Sequence, residues 1–163
     1  MRITFAPKDR LQIDDARLIF RNFSGAKSQY NEAGKRNFAV VIEDEETAQM
    51  LIDNGWNVKI KPPREEGDTP LMYLSVKVNF NDYGPNVYLQ TGSHTAKLTD
   101  RTVSRLDRIQ IRSVDLDIRP NDWVVGQKSG RAAYLESMKV VQAVDRFAAD
   151  LAESEYPEEE PYE

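Results

Sequence analysis

The sequence predicts a mainly β domain: an oligonucleotide-binding (OB)-like small twisted β-barrel with one principal helix and an acidic C-terminal tail. Three observations predict it. Short stretches with period-two alternation recur along the chain, bounded by glycine, proline and asparagine turns. Only one segment carries a strong helical pattern. Parallel-sheet folds need more crossover helices than this chain offers.

Taken in order, Ile3–Ala6 is a short apolar stretch broken by Pro7. Residues 17–23 (RLIFRNF) alternate as a strand, with Arg17, Arg21 and Phe23 assigned to one face. Ser24-Gly25 ends it, and polar residues 26–35 read as a mobile hairpin loop. Residues 36–42 are β-branched and apolar, a second strand. Asp44 caps a helix whose Glu45 and Glu46 suit its positive end. Ala48, Leu51 and Ile52 share a face, and Asn54-Gly55 closes the helix. Residues 56–61 alternate strictly, with Trp56, Val58 and Ile60 on one face and Asn57, Lys59 and Lys61 on the other.

Residues 71–80 form the clearest strand. Met72, Leu74, Val76, Val78 and Phe80 point inward; Tyr73, Ser75, Lys77 and Asn79 point outward. Residues 86–91 repeat the pattern, with Tyr88 outward. Residues 100–108 suit a short helix capped by Asp100. Residues 109–119 form a strand whose apolar phase slips near Arg112–Ser113, which one extra residue, a bulge, explains. Pro120-Asn121-Asp122 reads as a turn. Residues 123–125 then pair with 131–141 through the loop 126–130, and 145–152 suit a last helical turn.

Composition excludes several chemistries. The chain has 163 residues, no cysteine and one histidine, His94. Disulfide frameworks, thiol nucleophiles and multi-histidine zinc sites are therefore out. No apolar run reaches the roughly 18 residues of a membrane span. Met1-Arg2-Ile3-Thr4 lacks a signal-peptide pattern, so the expected location is the cytoplasm, with secretion by an unseen route as the alternative. No cofactor or metal is expected.

The net charge of −5 divides unevenly. Residues 150–163 hold seven acids and no base, which leaves 20 acids against 22 bases before them. The body, 1–149, is thus about +2 and the tail about −7. Acidic blocks of this kind are commonly disordered interaction tails. Glu158, Glu159, Glu160 and Tyr162 are its candidate partner-binding residues; Tyr156 and Tyr162 would serve as apolar anchors.

The outward faces carry the chemistry of a polyanion partner. A single nucleic-acid strand needs cations along its phosphates and flat rings for its bases. A tyrosine platform is worth about 1–3 kcal/mol per base, and a lysine at a phosphate makes binding salt-sensitive. Lys59, Lys61, Lys77 and Arg112 are the candidate phosphate contacts, with Tyr73 and Tyr88 as stacking rings. Arg21, Lys35, Arg36 and Lys128 are secondary cationic contacts, and loops 24–35 and 126–131 would close over the strand. Two rival classes stand beside this reading. One is a protein-interaction barrel without DNA affinity. The other is a metal-dependent nuclease on Asp115 and Asp117, which share a strand face, with Glu136 and Lys139 as conjectural helpers.

Three stretches carry a resemblance: IFRNFSGAKSQYNEAGKRNFAVVI (19–42), GWNVKIKPPREEGDTPLMYLSVKV (55–78) and VDLDIRPNDWVVGQKSGRAAYLESMKVV (114–141). In this order, followed by an acidic tail, the chain resembles the bacteriophage single-stranded-DNA-binding proteins. The resemblance implies sequence-tolerant binding of single-stranded DNA in phage replication, recombination and repair, with no enzymatic activity. It implies that the tail modulates DNA binding and contacts replication proteins such as polymerase, helicase or recombinase. A monomer or weak homo-oligomer is expected. The chain ends Tyr162-Glu163, where many family members end on an aromatic residue.

Overall fold

Leu71–Val78, the clearest strand of the sequence, sits at the centre of the fold as β6. Its alternation does what the pattern predicts: Met72, Leu74, Val76 and Val78 enter the core. The structure, a computed structural model, describes residues 1–144. Before β6 come β1 (Arg2–Ala6), β2 (Arg10–Asp14), β3 (Leu18–Asn22), β4 (Arg36–Val41), the helix α1 (Glu45–Asp53) and β5 (Val58–Lys61). After it come β7 (Asn86–Thr91), β8 (His94–Leu98), β9 (Ile111–Val125) and β10 (Lys128–Gln142). One sheet runs β1-β2-β9-β10-β6-β4-β3, with β5 added to β6 and the β7-β8 hairpin added to β10. This is the OB-like, mainly β architecture with one principal helix.

Strand β10 organises the sheet. It is antiparallel to β9 along its length. Its first half also runs parallel to β6, matching Ala133 to Val76 and Tyr134 to Lys77. Its second half runs parallel to β7, from Ser137 opposite Asn86 to Val141 opposite Gln90. The register shifts between Leu135 and Ser137, where Glu136 pairs with Arg10 of β2. Along one edge of β6, residues 71–74 take β5 and residues 76–77 take β10. A cleft opens on the outer face where those two neighbours meet.

Side chains rather than a ladder tie down the far edge. Asp107 accepts the amides of Phe23 (2.7 Å) and Ser24 (3.0 Å). Arg21 donates to the carbonyls of Leu106 (2.7 Å) and Ile109 (2.9 Å). Inside, Phe23 stacks on Phe38 at 5.0 Å between centroids, and Leu11, Ile118 and Leu135 fill the space under β2, β9 and β10.

Several local readings hold. Asp44 caps α1, accepting from the Thr47 amide at 2.7 Å, and Gly55 beyond it takes φ +93°. Backbone and hydroxyl donors at Thr47 hold the Asp44 carboxyl below its usual range. The slip in β9 is a bulge: Ser113 faces Val141 and Ile111 faces Gln142, so Arg112 is the extra residue.

Others are corrected. Pro120 opens no turn; β9 continues through it to Val125, with Pro120 opposite Ala133. β2 reaches only as far as Ile118, so beyond that point β9 has a free edge, where proline is tolerated. The expected loop 126–131 shrinks to the two residues between β9 and β10, Gly126 and Gln127. Together β9 and β10 project as a hairpin arm. Residues 103–107 form a 3-10 turn that starts at Thr102 without a side-chain cap, not a helix capped by Asp100. β2 and β8 were not expected. Phe23 and Arg21 do not share an outer face: Phe23 is fully buried and Arg21 is spent on carbonyls. Loop 24–35 carries a hydrogen-bonded frame of its own. Asn31 donates to the carbonyls of Ala26, Glu32 and Lys35 at 2.8–3.0 Å, and Asn22 accepts the Ala26 amide at 2.8 Å. The expected helical turn at 145–152 and the tail lie outside the described residues.

Candidate nucleic-acid interface

The cleft beside β6 is a groove of about 570 Å³. Ser75 and Lys77 of β6 form its floor. Loop 24–35 supplies one wall with Tyr30 and Lys35, and the hairpin arm supplies the other with Trp123 and Tyr134. Asn57 and Lys59 line the β5 side, and Arg36 and Asn37 the β4 side. Register explains the grouping. Lys77 lies opposite Asn37 on β4 and Tyr134 on β10, while Lys59 lies opposite Tyr73.

The groove combines rings with unneutralised cations. The Lys77 ammonium lies 5.7 Å from the Tyr134 ring centroid, and the Arg119 guanidinium lies 5.0 Å from it. No carboxylate lies within ion-pair distance of Lys35, Lys59 or Lys77 among the described residues. Arg36 donates to the Asp100 carbonyl at 2.8 Å, which leaves its charge unpaired. Arg131 also reaches the groove but is neutralised. It binds Asp122 through two hydrogen bonds of 2.7 and 3.2 Å and lies 3.5 Å from Asp9. The same contact holds the Asp122 carboxyl below its usual range and raises Arg131 further.

Trp123 is preset. A Cβ at Gly130, the residue across the ladder, would lie 2.6 Å from the Trp123 ring, so the indole rests directly on the glycine backbone. The ring is 42% exposed and lines the groove. An aromatic face held this way loses little freedom when a flat partner stacks on it. Tyr30, on the opposite wall, is 89% exposed.

Sequence reading placed Lys35, Arg36, Lys59 and Lys77 here, and the fold brings all four together. Lys61 and Tyr73 lie further along the same face. Tyr73 points outward as expected, yet only 8% of it is exposed, because Phe20 packs edge-on against it at 5.3 Å. Tyr88 faces Lys97 and Lys139 on β7's neighbours and does not line the groove. Arg112 sits in the β9 bulge, also outside it. Arg21 is a structural tether. Lys128 lies exposed beside the turn of the arm, with Val124 and Val125. Glu158, Glu159, Glu160 and Tyr162 lie outside the described residues.

Tyr30, Trp123, Tyr134 and Phe20 were missed. Trp123 and Gly130 carried a signal, since an aromatic facing a glycine across a hairpin is a known pairing. Tyr134 had none, because it reaches Lys77 only through the parallel β6–β10 contact.

The nuclease geometry does not assemble. Asp115 accepts the Asp15 amide at 2.9 Å and Asp117 accepts the Ser137 hydroxyl at 3.2 Å. Glu136 is paired with Arg10. No group of three metal-binding side chains is found among the described residues.

A family model described as a phage ssDNA-binding domain matches residues 2–160. The chain belongs to that family. The phage ssDNA-binding domain is a binding module, not an enzyme. Solved structures agree on the fold. The single-stranded DNA-binding protein from bacteriophage Enc34 superposes with a TM-score of 0.55 at 10% identity, covering 89% of this chain and 87% of that one. The same protein in complex with ssDNA gives 0.52 at 12% identity, covering 89% and 93%. No curated protein matches the chain.

Proposed function

We propose that this protein binds single-stranded DNA without sequence preference, along the groove between the hairpin arm and loop 24–35, during phage DNA replication, recombination or repair. The observation that carries the reading is the juxtaposition of Lys35, Lys59 and Lys77 with the Trp123, Tyr134 and Tyr30 rings in one open groove. The solved relative in complex with ssDNA supports it. Lysines follow the phosphates and release their counterions. Rings stack on bases whatever their identity, because every base has a π-face. Paired bases cannot offer those faces, so the protein shifts the duplex equilibrium toward open strands by mass action. A body of about +2 predicts modest affinity per molecule.

The division into a binding body, 1–149, and an acidic tail, 150–163, rests on the charge split. Seven tail carboxylates compete for the groove when it is empty and meet basic patches on replication proteins when it is filled. No described helix is long and apolar enough to cross a membrane, and a DNA partner of phage origin fits action in the host cytoplasm.

The test is fluorescence anisotropy with labelled single strands and a duplex control, using the full chain and a chain ending at Ala149. Single strands are expected to bind more tightly than duplex, and the shortened chain more tightly than the full one at low salt. Equal affinity for duplex and single strands would sink the groove reading. An unchanged affinity on truncation would remove the tail's competitive role.

A further inference from the structure

The outward row of β6 continues past the groove to a second aromatic cluster. Strand β3 slips against β4 there: Ile19 faces Ala39, and the next pair is Asn22 with Asn37. Two residues of β3 stand over one of β4, and Phe20 absorbs the excess at φ +52°. A bulky aromatic residue rarely adopts that left-handed conformation, and it is costly where it occurs. The cost is not offset by burial. The Phe20 ring is 54% exposed. It meets Tyr73 at a T-shaped angle of 78°, and the Lys61 ammonium lies 5.2 Å from its centroid and 5.8 Å from that of Tyr73. Strain spent to hold an exposed ring beside an unpaired cation is the pattern expected of a binding site.

We infer that Phe20 is a second stacking platform, which takes one unpaired nucleobase of a strand leaving the groove while Lys61 takes an adjoining phosphate. The inference rests on the groove reading. Tyr73 precedes Lys77 by four residues, so at roughly 3.3 Å per residue the platform lies about 13 Å from the Lys77 end of the groove. Ser75 lies between them on the same face, and Lys59 stands opposite Tyr73 across the ladder. The ring also shields Tyr73, so the test must separate covering from stacking. Leucine keeps the apolar cover but offers no flat face.

The experiment measures the affinity of the full chain for oligodeoxythymidylates stepped from about 4 to about 16 nucleotides, the range of sites that OB folds occupy. Parent, F20L, F20G and K61A are compared, with thermal melts on each. The parent's affinity is expected to rise with length in two stages. F20L and K61A should match the parent on the shortest strands that bind and fall roughly fivefold or more behind on the longest. F20G should lose the same second stage, and its melt weighs the strain relieved at φ +52° against the apolar cover lost from Tyr73. An F20L length profile equal to the parent's would overturn the inference. So would an equal loss at every length, which would place Phe20 inside the first site. If the parent binds no strand at any length, the groove reading itself fails and this one falls with it.

Discussion

At Gly130 a single missing carbon sets the groove's main ring. Adding it in Gly130→Ala would place a methyl 2.6 Å from the indole, well inside contact distance, so Trp123 must swing away. Trp56 is the only other tryptophan and is buried, so the change in fluorescence reports on Trp123. The expected outcome is an altered emission spectrum, a weakened hold on single strands and little change in melting temperature. An unchanged spectrum would show that the ring does not rest on the glycine. Residues at this scale were partly legible. Lys59 and Lys77 followed from alternation alone, because a two-residue period fixes the face. Tyr73 was assigned the right face, but its cover was not, because it comes from a strained residue 53 positions away. Arg21 looked like a free cation and is a tether, since nothing in its neighbours announces the carbonyls of Leu106 and Ile109.

The hairpin arm is the element on which the groove depends, and Arg131 latches it. Arg131 reaches Asp122 on the arm and Asp9 in the β1–β2 turn, and its guanidinium lies 5.5 Å from the Trp56 ring. Asp122 has a folded pKa below its unfolded value, with the Arg131 hydrogen bond as the leading cause. Its contribution is therefore complete above the unfolded value, near 3.9 for an aspartate, and is lost as pH falls through the lower folded value. Tryptophan emission, from Trp123 on the arm and from Trp56 beside the Arg131 guanidinium, is expected to stay constant from neutral pH to about 5 and to change only below about 4. In Asp122→Asn the change should be present already at neutral pH. A transition centred near neutrality would assign the latch to another group. The element count shows where sequence reading stops. α1 announced itself by its cap and closing glycine. β8 has only Ala96 and Leu98 facing in, and becomes a strand by pairing with β7. Sequence alone shortens the arm, because proline usually signals a turn, and Pro120 is acceptable in a strand here because β2 pairs with β9 only as far as Ile118.

For the whole molecule, β10 joins the two halves of the sheet by pairing parallel to both β6 and β7. That contact is long-range, so the fold class was readable from strand spacing while the topology was not. Ile118 lies under this junction, fully buried between Leu11 of β2 and Leu135 of β10. Ile118→Ala is expected to cost about 2–5 kcal/mol. At roughly 2–4 °C per kcal/mol for a chain of this size, the melting temperature should fall by about 5–20 °C. A loss of only a degree or two would mean that the junction repacks freely.

The groove's central claim is that rings and cations act separately on one strand. The most direct measurement is anisotropy of a labelled oligodeoxythymidylate over a series of salt concentrations, for the parent, W123A and K77A. W123A should lose roughly fivefold to a hundredfold in affinity at every salt concentration, with the slope of log affinity against log salt unchanged. K77A should lower the magnitude of that slope by about 0.7. Parental affinities and slopes in both variants would contradict the account, because the strand would then lie elsewhere on the protein.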